Sequence, residues 1–68
     1  MKDFIERILK ENEELALKIV KLQNFIRSDS YIELSLIEKD MLEAQLLFMK
    51  KYNEILKRRI KFYKERKL

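Results

Sequence analysis

Apolar residues recur along the first half of the chain at alternating steps of three and four. They are Ile5, Ile8, Leu15, Ile19, Leu22 and Ile26, with Asn12 filling the one gap. A 3.5-residue repeat keeps one seam of a helix turned toward a partner, as in a coiled coil. A second, wider apolar stripe runs from Leu42 to Tyr63. No Gly or Pro interrupts either half, so the pattern predicts two long helices. The first covers about residues 2–27 and the second about 36–67, with a tip at 28–35.

Local signals support these bounds. Asp3, Glu6, Glu11, Glu13 and Glu14 gather toward the start of the first helix, where negative charge suits the helix dipole. Ser28-Asp29-Ser30 is the only cluster of small polar residues and should end that helix. Ser35 and Glu38 have the S-x-x-E spacing of a capping box, in which hydroxyl and carboxylate satisfy each other's free amides. Between them Tyr31-Ile32-Glu33-Leu34 reads as one short helical turn, with Tyr31 and Leu34 closing the tip. A connection this short makes the two helices antiparallel neighbours. With the tip near residues 31 and 32, facing residues have numbers summing to about 63. Leu22 then meets Met41 and Leu42, Leu15 meets Phe48 and Met49, and Ile8 meets Ile55 and Leu56.

Sixty-eight residues make a single domain, 1–68, and one helical hairpin of that size buries little apolar surface. Such chains usually depend on disulfides, a metal or self-association. Cys and His are both absent, which removes disulfides and ordinary zinc ligation. The second helix carries two interleaved rows, Met41-Phe48-Ile55-Phe62 and Leu42-Met49-Leu56-Tyr63, widened by Leu46, Leu47 and Ile60. One neighbour cannot cover so broad an arc. The first helix has its own surplus in Phe4, Leu9, Val20 and Phe25. The expected fold is therefore all-α: an antiparallel two-helix hairpin with a short helical turn at its tip, assembling as a helical-bundle homo-oligomer.

The missing residue types also restrict chemistry. Without Cys or His most nucleophile–base pairs cannot be built, and without Gly there is no phosphate-cradling loop. The carboxylates all sit in charged helical patterns where solvent exposure is the default, so neither an enzyme nor a cofactor is expected. Met1-Lys2-Asp3-Phe4 offers no apolar leader core, and no run approaches the ~20 apolar residues of a membrane span. A cytoplasmic protein without membrane contact is the expectation. Net charge is +4, unevenly placed: from residue 57 onward seven Lys and Arg face Glu65 alone, giving +6, and the first 56 residues carry −2. A basic end invites an anionic partner, nucleic acid included. It also complements the dipole of a helix C-terminus, which needs no partner at all.

Four polar positions interrupt the stripes. Asn12 occupies a seam position, where a buried Asn commonly fixes register and oligomer state. Gln45, Tyr52 and Arg59 follow one another at intervals of seven within the row Leu42-Gln45-Met49-Tyr52-Leu56-Arg59-Tyr63. Asn12 and Gln45 are the candidates for setting oligomer specificity. The facing relation also places Arg7 and Glu11 beside Tyr52 and Arg59. Such a cluster is either an internal polar network, since Arg7 and Glu11 are one turn apart, or a pocket between protomers with guanidinium groups for phosphate and a Tyr ring for stacking. Spacing alone leaves both open.

Taken together, Phe4, Arg7-Ile8, Glu11, Glu14-Leu15, Lys21-Leu22, Phe25-Ile26, Tyr31 and Leu34 give the chain a likeness to known proteins. The denser part of that likeness is Glu38, Leu42, Gln45-Leu46, Met49, Tyr52, Leu56 and Arg59-Ile60. With these the chain resembles small helical-hairpin proteins of tailed, crAss-like phages. Many of the proteins it resembles carry proline near the position of Ser35, so the cap of the second helix is built differently here. That family is similar in size and architecture to phage immune-evasion sponges, oligomeric hairpins that sequester the cyclic oligonucleotide signals of the bacterial CBASS defence. The resemblance implies non-catalytic capture of a cyclic dinucleotide or trinucleotide at protomer interfaces. Arg7 and Arg59 can serve the phosphates, and Tyr52 and Tyr63 the bases. Two other readings stand beside it: a nucleic-acid-binding module using the basic end with Phe62 and Tyr63 among the cations, and a purely structural or partner-binding helical oligomer.

Overall fold

The computed structural model describes residues 2–66 and is helical almost throughout, with three elements in chain order: α1 (Lys2–Ile26), α2 (Asp29–Ile32) and α3 (Leu36–Glu65). Among the described residues there is no strand. The expected end of the last helix at Lys67 lies outside the described residues. Phe4 packs on Tyr63, and Glu11 meets Tyr52. Numbers rise along one helix as they fall along the other, so α1 and α3 run antiparallel. The extents, 52 × 15 × 13 Å, are those of two helices side by side.

The reversal of direction needs no glycine, because no described residue has positive φ. Ser28 and Ser35 are instead extended, with ψ of 163° and 161°, on either side of the single turn α2. Ser28 ends α1 by donating its hydroxyl to the Phe25 carbonyl at 2.6 Å. Ser35 starts α3 as the capping box anticipated: its Oγ accepts from the Glu38 amide at 3.2 Å, and its own amide donates to Glu38 Oε1 at 3.4 Å. Tyr31 holds the tip against α3, donating its hydroxyl to Glu43 Oε2 at 2.9 Å and meeting Phe25 edge-on at 6.4 Å. Burial, then the hydrogen bond to Glu43 and the charges of Glu43 and Asp40, hold the Tyr31 phenol above its usual pKa.

The seam expected on α1 faces α3 as a unit. Ile8 and Ile19 are buried, and Ile5, Asn12, Leu15, Leu22 and Ile26 are half-buried. On α3 the covered row is Leu42, Leu46, Met49, Asn53, Leu56, Ile60 and Tyr63, again in steps of four and three. This changes the sequence-based pairing. Of each expected pair of contacts, the Leu42, Met49 and Leu56 members face α1, while Met41, Phe48 and Ile55 are exposed. A single helical neighbour covers only one stripe, and the other row is turned away from it. Among the described residues only Ile8, Ile19 and Leu56 are buried apolar side chains, and of these only Leu56 is completely enclosed.

Candidate functional site

The end of the helix pair where α1 begins and α3 finishes holds the chain's concentration of charge and aromatic surface. Tyr63 stands between two rings, Phe4 at 5.1 Å and Phe62 at 5.4 Å, both edge-on. The Arg59 guanidinium lies 5.7 Å from the Phe4 ring centre, and that of Arg66 lies 5.7 Å from Phe62. Each pairing sets a cation over a π face and limits its freedom before any ligand arrives. Beside them is an open groove of about 640 Å³ lined by Ile55, Arg58, Arg59, Lys61, Phe62, Tyr63 and Glu65. Sites for small molecules commonly occupy ~300–1,000 Å³, with apolar walls and a few convergent polar groups.

The four ligand residues expected from the sequence share one edge of the pair. Arg59 and Tyr63 line the groove. Tyr52 lies two turns before Arg59 and donates its hydroxyl to Glu11 across the helix interface. That hydrogen bond, with burial and the Glu11 charge, holds the Tyr52 phenol above its usual pKa, against a smaller opposing pull from Arg59. Arg7 is exposed on α1, three residues beyond Phe4 and four before Glu11, and so on their side of the helix. Tyr52 and Arg7 extend the edge but do not line the groove.

The two candidates for specificity sit apart from it. Asn12 lies on the α1 seam toward α3, with its Oδ1 buried and accepting no hydrogen bond among the described residues. Asn53 is in the same condition on the facing row. Gln45 is exposed, and its Nε2 lies 3.8 Å from Met49 Sδ one turn along α3. The file Gln45-Tyr52-Arg59 thus runs along the shoulder of the covered face instead of through it.

Residues 2–62 match the family described as Sequestin. The chain belongs to the Sequestin family. It is also 36% identical over 58 residues to a protein of Enterobacteria phage T4, spanning 85% of this chain and 91% of that one. That relative is described as "Uncharacterized 7.5 kDa protein in denB-rIIB intergenic region". No solved structure matches the chain.

In this Sequestin-family chain, sequence reasoning singled out Arg59 and Tyr63 for the ligand and Phe62 for the nucleic-acid reading, but not Arg58 and Lys61. Their signal was present in the +6 end, read only as a diffuse charge. Asn53 was missed as well, although it falls in the four-three series of the covered row. Among the described residues no helix is long and apolar enough to cross a membrane.

Proposed function

We propose that this phage protein is a non-catalytic sponge that sequesters cyclic oligonucleotide second messengers in the host cytoplasm, holding them where protomers of a homo-oligomer meet. The observation that carries the reading is the groove itself, in which Arg58, Arg59 and Lys61 stand beside the exposed Phe62 ring and the half-buried Tyr63. A cyclic dinucleotide presents two phosphates and two flat bases. Guanidinium groups suit the first through bidentate, charge-assisted hydrogen bonds, and aromatic rings suit the second by stacking. Membership of a family named Sequestin supports capture over turnover, and likeness to a protein of phage T4 supports a phage source. With only three buried apolar residues among those described, and large exposed apolar rows, the chain has reason to assemble.

A basic end with interleaved aromatic rings also suits single-stranded nucleic acid, and one titration separates the two. Nucleotide-free protein is titrated calorimetrically with cyclic di-AMP, a cyclic triadenylate and a short DNA strand. On the sponge reading a cyclic nucleotide binds, and Arg59→Ala weakens it by about 10- to 100-fold, the worth of a hydrogen bond to a charged group. Truncation after Tyr63 removes Lys64, Arg66 and Lys67 and has the smaller effect. DNA binding that the truncation abolishes, with steep salt dependence, points to the nucleic-acid reading. No heat with either cyclic nucleotide refutes the sponge reading for those ligands.

A further inference from the structure

Five exposed apolar side chains lie in line on α3, away from α1: Ile37 at 72% exposure, Met41 at 60%, Phe48 at 65%, Ile55 at 49% and Phe62 at 57%. With Ala44, Lys51 and Arg58 they form an unbroken series of steps of four and three, Ile37-Met41-Ala44-Phe48-Lys51-Ile55-Arg58-Phe62. This is a second 3.5-residue seam on one helix. It lies about 150° round from the face that packs on α1: Ile55 is about 100° from the buried Leu56, and the seam's other row lies further round. A seam of that period is shaped for another helix.

The seam is polarised along its length. Its first half is wholly apolar and is flanked by Glu38 and Asp40. Its second half contains Lys51 and Arg58 and is flanked by Arg59 and Lys61. A parallel pairing with the same seam would set Lys51 on Lys51 and Arg58 on Arg58, each a like-charge contact within the seam. An antiparallel pairing does the opposite. With facing numbers summing to about 99, the alternation of seam positions is preserved. Ile37 meets Phe62 of the second copy, Met41 lies under the aliphatic stem of its Arg58, and small Ala44 receives its Ile55. At the shoulders Glu38 comes opposite Arg59, and Asp40 opposite Lys61.

We infer that α3 pairs antiparallel with α3 of a second copy along this seam, and that the apolar tip of each copy forms the missing wall of the other's basic groove. Ile55, Arg58 and Phe62 belong both to the seam and to the groove lining, so the two features are continuous. Two-fold symmetry then yields two identical grooves per pair, each walled by Ile37 and Met41 of the opposite copy. Closing the groove with apolar side chains excludes water and strengthens every charge-assisted contact to an anion inside. The ligand assigned to the groove rests on the sponge reading, whereas the interface itself does not.

The absence of native cysteine makes the geometry directly testable. In Ala44→Cys/Ile55→Cys the two thiols lie about 16 Å apart along one helix, too far to bridge within a chain. Mild oxidation should give a covalent dimer from this variant and none from Ala44→Cys alone. A dimer from Ala44→Cys alone, or none from the double variant, overturns the antiparallel pairing. Sedimentation should further show that Asp40→Lys and Lys61→Asp each weaken self-association by about tenfold, and that combining them restores it. Failure of the combination to restore it also overturns the proposal. Cross-linking uses no nucleotide, so a failed sponge reading leaves the interface standing. A wild-type protein that binds cyclic di-AMP as a monomer in light scattering refutes the interface alone.

Discussion

Leu56 is the sharpest test of where the stability of this chain resides, because it is 0% exposed and the only side chain among the described residues to be completely enclosed. Truncation to alanine removes its contacts with the α1 seam and leaves a void. In well-packed cores that exchange costs about 2–5 kcal/mol. A chain of this length has a total stability of only about 3–10 kcal/mol, so Leu56→Ala should forfeit between a fifth of it and all of it. Phe48→Ala is the control: it deletes a larger side chain that is 65% exposed on the opposite stripe. Within one chain its cost should stay within about 0.5 kcal/mol. Urea denaturation followed by circular dichroism, at two protein concentrations, separates the cases. The Leu56→Ala loss should persist at both concentrations, while any large Phe48→Ala loss should appear only where chains associate. A Leu56→Ala loss below about 1 kcal/mol with an unchanged denaturant slope would refute the placement of the core.

Ser35→Ala should lower stability by about 1 kcal/mol in the same assay, because it unmakes the capping box at the start of α3. Asn12→Ile should raise the melting temperature by about 4–8 °C, by removing a buried, unpaired Oδ1, and should broaden the range of oligomers seen in sedimentation. A lower melting temperature with unchanged mass would show that the Asn12 amide has an essential partner. Tyr52→Phe should alter the alkaline limb of stability. The native phenol titrates above its usual value of about 10, so its contribution is present below that pH and fades as pH rises through the elevated native value. The phenylalanine variant lacks this loss, and thermal melts above about pH 10 should converge with those of the wild type. Curves that stay parallel through that range would contradict a stabilising Tyr52–Glu11 bond.

The element bounds were legible because their signals are local. Ser28 and Ser35 interrupt helix with short hydroxyl side chains, Glu38 stands three residues beyond Ser35, and no Gly or Pro breaks what lies between. The α1 seam was legible for a related reason: Ile5 to Ile26 follow the 3.5-residue period with only Asn12 between, whereas Phe4, Leu9, Val20 and Phe25 outside it form no such series. The resemblance to small phage proteins was carried by particular residues at their positions, and the family match over residues 2–62 agrees with it.

What the sequence left open is which part of a broad arc meets a neighbour. Around α3 the apolar residues are numerous enough to support two seams, and a periodicity does not rank them. Only packing against α1 selects Leu42-Leu46-Met49-Asn53-Leu56-Ile60-Tyr63, leaves Phe48 and Ile55 outside, and moves Gln45 and Tyr52 to the shoulder. The groove has the same origin. Arg59 and Phe4 are 55 positions apart in the chain, and no local signal connects them. They meet because an antiparallel pair brings the start of α1 to the end of α3, and there the aromatic rings fix the guanidinium that the sequence could name but not place.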